Sequence, residues 1–143
     1  MTAVGLTVTA ARPAAAVSAA AAAPGSYTAV QPCRLTDTRT GAGVIRIDPT
    51  TIEIAARQAC GVPADATSVV VSIAIDAPAA AGFLSAWPAD QARPTISNLN
   101  FSAGQIRANS AIVPLSTTGR FRVYSNVITN VVVDVVGAFV PAQ

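Results

Sequence analysis

Apolar and polar residues alternate along most of the chain with the two-residue period of a strand half-buried in a sheet. In Val69-Val70-Val71-Ser72-Ile73-Ala74-Ile75, the residues Val69, Val71, Ile73 and Ile75 fall on one face. Similar stretches run from Phe83 to Trp87, Ile96 to Phe101, Ala111 to Leu115, Arg120 to Ser125 and Val131 to Phe139, with a weaker one from Thr51 to Ala55. Turn-forming residues separate them: Gly41 and Gly43, Gly61 with Pro63, Pro78 and Gly82, Pro88, Pro94, Gly104, and Thr118-Gly119. From Tyr27 onward no 3.6-residue amphipathic pattern competes. Many short strands punctuated by turns predict an all-β domain, an antiparallel β-sandwich of jelly-roll type, over residues 27–143.

The first 26 residues read differently. Met1 to Ala23 holds eleven Ala and one charge, Arg12, before Pro24-Gly25-Ser26 breaks the run. The apolar stretch Ala3 to Ala11, followed by the small residues Pro13-Ala14-Ala15-Ala16, resembles the back half of a secretory signal and its cleavage site. No basic residue precedes Arg12. The same segment also allows an ordered extension, because Val4, Leu6 and Val8 alternate with Gly5 and Thr7 and could lie on a neighbour as a donor strand. A membrane span is disfavoured by Arg12 and Pro13 in mid-segment. Residues 127–140 are strongly apolar too, but Asp134 and their short length favour a strand.

Composition narrows the chemistry. The chain has 143 residues, enough for one domain, with 52% hydrophobic and 11% charged residues, which excludes a disordered chain. Nine Arg face six Asp and one Glu, with no Lys and no His. A net charge of +2 is too small and scattered for a nucleic-acid footprint. Without His, the commonest general base and metal ligand is missing. No nucleophile elbow, phosphate loop, HExxH or EF-hand pattern is present, and no cofactor or metal is expected. Cys33 and Cys60 read as a disulfide in an oxidising compartment, or as two buried thiols in a reducing one. Closing that loop would stabilise the fold by roughly 3 kcal/mol.

Three stretches carry a family resemblance. Pro32-Cys33-Arg34-Leu35-Thr36-Asp37-Thr38-Arg39 resembles the P-C-R-L-x-D-T-R opening of a module in secreted and surface proteins of bacteria. Asn98 to Leu115 (NLNFSAGQIRANSAIVPL) is similar to its middle signature, and Val133 to Phe139 (VDVVGAF) to its D-V-x-G-Y-F close. Ala81-Gly82-Phe83-Leu84 with Trp87-Pro88 matches a G-F-L…P element between them. The resemblance spans residues 27–140. Ala138 departs from it, standing where the family has Tyr, so a cross-strand aromatic contact is expected to be missing. The resemblance implies an extracellular all-β module, often tandemly repeated in adhesin-like proteins or beside enzyme domains. It implies no catalytic activity.

Several polar residues stand out against this background. Asp134 shares a strand face with Val132 and Val136, so partial burial is expected, and a buried carboxylate needs a partner. Arg34 or Arg39 would supply a bidentate one, pinning the first strand to the last while Asp37 holds its own turn. Asn98, Asn100, Gln105, Arg107 and Asn109 form a polar cluster that could hydrogen-bond sugar hydroxyls or satisfy backbone groups in turns. Trp87, Tyr27 and Tyr124 could stack on sugar rings or pack the sandwich. The expected function is a non-catalytic extracellular or cell-surface module for binding or adhesion, with a glycan or other cell-surface component as partner. The alternative is a filament or surface-layer subunit that self-associates by β-augmentation through its N-terminal strand. Nucleic-acid binding is not expected.

Overall fold

A computed structural model describes residues 25–142. Nine strands follow in order: β1 (Gly25–Asp37), β2 (Ile45–Asp48), β3 (Thr51–Ala55), β4 (Ser68–Asp76), β5 (Gly82–Pro88), β6 (Leu99–Phe101), β7 (Ile106–Pro114), β8 (Arg120–Ser125) and β9 (Asn130–Pro141). They form two antiparallel sheets, one ordered β1-β9-β4-β7 and the other β2-β3-β8-β5-β6. With β2 taken as an added edge, β1-β9-β4-β7 facing β3-β8-β5-β6 is the order of two interlocked Greek keys, a jelly roll. The donor-strand residues Val4, Leu6 and Val8, and the rest of the Ala-rich segment up to Pro24, lie outside the described residues. Pairing starts at Gly25, opposite Pro141.

Alternation explains the centre of each sheet. In β4 every second residue is buried, namely Val69, Val71, Ile73 and Ile75; in β8 the buried set is Phe121, Val123 and Ser125. They meet Val133 and Val135 of β9, Ile52 and Ile54 of β3, and Leu84 and Ala86 of β5 in one core. A β-bulge near Val136 shifts the parity of β9, where its register against β4 slips between Val70 and Val71. Beyond it Ala138 points inward and is fully buried opposite Val69, while Gly137 faces outward. An inward Tyr at this position would have to fit inside the core. The aromatic contact arises instead between Tyr27 and Phe139, whose ring centres are 5.6 Å apart edge to face. Tyr27 lies directly over Gly137, so that any side chain there would meet the tyrosine ring.

Cys33 and Cys60 form a disulfide, with Cα atoms 5.6 Å apart. It ties β1 to the loop between β3 and β4. A disulfide suits an oxidising environment.

Candidate functional site

Polar side chains gather in two groups on the surface of the sandwich. The first is charged. Arg34 and Asp134 are cross-strand neighbours in β1 and β9, and the guanidinium grips the carboxylate through two bonds, Nε to Oδ1 at 2.8 Å and Nη2 to Oδ2 at 3.1 Å. Asp37, at the end of β1, accepts bonds from Arg39 Nε (3.0 Å), Arg39 Nη2 (2.9 Å), Arg34 Nη1 (3.2 Å) and the Arg39 backbone N–H (3.0 Å). Arg39 also reaches Asp76 of β4. The network therefore stitches β1, β9 and β4 on the outer side of one sheet.

Asp134 is half-buried, as its strand face predicts, but the more deeply buried acid is Asp37. The Asp37 side chain is 5% exposed, whereas that of Asp134 is 37% exposed, because Asp134 stands on the outward face of β9 beside Ser72. The Arg39 hydrogen bonds hold the Asp37 carboxyl down to about 2, against the opposing effect of burial. The same contact raises Arg39, and the hydrogen bond to Asp134 raises Arg34. Every carboxylate of the network is already neutralised by a guanidinium, which leaves none free for acid–base work. Among the described residues no group of three or more His, Cys, Asp or Glu is placed to hold a metal ion.

The second group lies where the two sheets open at one side. β6 ends one sheet and β7 ends the other. Between them is a cleft of about 340 Å³, lined by Ser97, Asn98, Leu99, Asn100, Arg107, Ala108 and Asn109. Asn98 is spent on structure, since its Oδ1 accepts the Ala86 N–H at 2.7 Å and its backbone carbonyl accepts Asn109 Nδ2 at 2.7 Å. Asn100 Oδ1 accepts the Ser97 hydroxyl at 3.0 Å, leaving the Asn100 amide nitrogen toward the cleft free to donate. Asn109 keeps its carbonyl oxygen as an acceptor. Donor and acceptor amides thus stand together with the Arg107 guanidinium.

A second cleft of about 310 Å³ adjoins the first at Ser97 and Asn100 and is lined by Phe83, Arg93, Thr95 and Ile96. Phe83 supplies its aromatic surface. The Phe83 and Tyr124 rings sit 6.0 Å apart, and the Arg93 guanidinium lies 4.0 Å over the Tyr124 ring. One polar and one apolar cleft, joined at Asn100, make a continuous amphipathic groove.

Other sequence candidates fall elsewhere. Trp87 is buried at 5% exposure, with its indole N–H bonded to the Gln91 carbonyl at 3.0 Å, because the segment 89–98 folds over the outer face of β5. It packs the fold and does not reach the groove. Gln105 accepts the Ser102 N–H at 2.9 Å and closes the turn between β6 and β7, so it too is structural. Tyr124 contributes through the ring that carries Arg93. Sequence reasoning missed Arg93, whose only signal was a charge beside Pro94 in a chain with few charges, and it treated Phe83 as a strand residue only.

Asn98 gives a direct check on how the groove is built. Asn98→Ala should cost about 1–3 kcal/mol, the penalty for leaving the half-covered Ala86 N–H without its acceptor. Amide exchange at Ala86 should accelerate, and an unchanged exchange rate there would show that the bond does not hold the groove wall. No family model, curated protein or solved structure matches the chain.

Proposed function

We propose that the chain is a non-catalytic, extracellular or surface-associated binding module whose ligand is a glycan held in the groove between β6 and β7. One observation carries this reading: Asn100, Arg107 and Asn109 converge in a single cleft with donors and acceptors unspent, beside the partly open face of Phe83. Sugars present paired hydroxyl donors and acceptors around an apolar C–H face, and such a groove meets both halves of that chemistry. The disulfide supports an extracellular setting. No helix among the described residues is long and apolar enough to cross a membrane.

The test is a glycan array probed with the native chain and with an Asn100→Ala/Asn109→Ala double variant. Retention of the native chain on a subset of glycans is expected, with a loss of at least about tenfold in the variant, equivalent to about 1.4 kcal/mol. Failure of the native chain to bind any glycan contradicts the reading.

The assembly alternative has one observation in its favour. Among the described residues, β7 ends its sheet with no further strand beside it over nine residues, and Ile106 is 79% exposed. Free strand edges template pairing with other chains. Sedimentation separates the two readings: a glycan-binding module stays monomeric without ligand, and an assembly subunit polymerises.

A further inference from the structure

The arginines divide into two sets. Arg34, Arg39, Arg120 and Arg122 all form ion pairs with carboxylates. Arg46 donates to the Pro49 carbonyl, and Arg57 to the carbonyls of Ala66 and Thr117. Among the described residues, Arg93 and Arg107 alone have neither an ion pair nor a hydrogen bond from their guanidinium groups. Both line the groove, one in each cleft, on either side of Ser97 and Asn100. Among the described residues, no Asp or Glu lines either cleft. Among the described residues, the guanidinium groups are otherwise paired internally, and the two without an ion pair or hydrogen bond lie along one groove.

We infer that the groove takes an acidic polysaccharide, with sugar carboxylates on Arg93 and Arg107 and neighbouring hydroxyls on Asn100 and Asn109. The inference rests on the glycan reading above and specifies its ligand class. Arg93 is suited to the role because stacking on Tyr124 uses the face of its guanidinium and leaves the in-plane N–H edge for a carboxylate. Holding that plane in advance removes part of the side-chain ordering cost of binding. The fork of N–H donors matches a carboxylate bidentately, a geometry that neutral hydroxyls do not reproduce.

The experiment uses matched polymers on the native chain: polygalacturonate, alginate and hyaluronate, each beside its carboxyl-esterified form, with single-stranded DNA as a polyanion control. At least one acid form should bind at least about tenfold more tightly than its ester, and rising salt should weaken that binding. Arg93→Gln/Arg107→Gln should abolish the difference between acid and ester while thermal unfolding moves only slightly, since neither guanidinium is hydrogen-bonded or ion-paired within the fold and only the Arg93 stack on Tyr124 is lost. Equal binding of acid and ester, or array binding confined to neutral glycans, overturns the acidic class and leaves the glycan reading standing. Binding to no polysaccharide at all overturns both. Tighter binding of single-stranded DNA than of any acid polysaccharide overturns both in favour of a nucleic acid.

Discussion

Replacing Cys33 and Cys60 by Ser is expected to lower the stability of the fold by roughly 3 kcal/mol, the loop-closure term for a bridge at a sequence separation of 27. The effect should concentrate in β1. That strand is an edge, most of its first ten residues are exposed, and its register against β9 is broken by two irregularities on either side of Cys33 and Arg34. Without the bridge, the stretch from Gly25 to Val30 depends on backbone pairing with β9 and on the Tyr27 contact with Phe139. Urea unfolding of the native and double-Ser chains measures the difference. A lower midpoint is expected, with a steeper slope because the denatured chain without its crosslink exposes more surface, together with faster amide exchange in β1 than in β4. Coincident curves would show that the bridge adds nothing to a fold already held by its core.

Asp37→Asn should be the most damaging single change in the charged network, exceeding Asp134→Asn. Asp37 accepts four hydrogen bonds while almost completely buried; Asp134 accepts two at a more exposed position. An amide keeps one acceptor oxygen and turns an N–H₂ group toward two guanidinium groups, so it cannot repeat the carboxylate's pattern. The pH dependence follows from sign. The folded-state value of about 2 lies below the ordinary 3.8, so the ionised acid contributes stability that is complete above about pH 4–5 and lost as pH falls toward 2. The native chain should therefore lose stability through that window, and Asp37→Asn should lose distinctly less there. Parallel profiles for both proteins would show that another group governs acid unfolding.

The sequence revealed those parts of the fold that a two-residue period can encode. β4 and β8 lie in sheet interiors, each with one face on the core, and their alternation of Val69, Val71, Ile73, Ile75 and of Phe121, Val123 survives in the burial pattern. β7 escaped over Ile106–Ser110 because both of its faces are exposed there, which removes any alternation to read. β2 is four residues long and exposed throughout, and it was missed for the same reason. β6 is shorter than the stretch from Ile96 to Phe101, because residues 96–98 meet β5 through one backbone bond, Asn98 N–H to the Leu84 carbonyl, and through the side chains of Ser85 and Asn98, not through a continuous ladder.

The site was legible to a similar degree. The amide cluster was visible in the line of Asn98, Asn100, Arg107 and Asn109, and the turn between β6 and β7 brings those residues face to face. The loss of Trp87 and Gln105 from the group could not be read, since it depends on a loop folding over β5 and on one turn's internal bond. Which acid is buried was equally hidden. Period places Asp134 on a face, but only the fold-back of Arg39 onto Asp37 covers the latter.

Chemical-shift mapping of the ¹⁵N-labelled chain, titrated with the glycan best retained on the array, tests the central claim most directly. Shifts are expected only at Ser97–Asn100, Arg107–Asn109, Phe83 and Arg93, with Tyr27, Ser72 and Gly137 on the opposite sheet unmoved. Shifts centred on that opposite sheet, or none anywhere at saturating glycan, would contradict it.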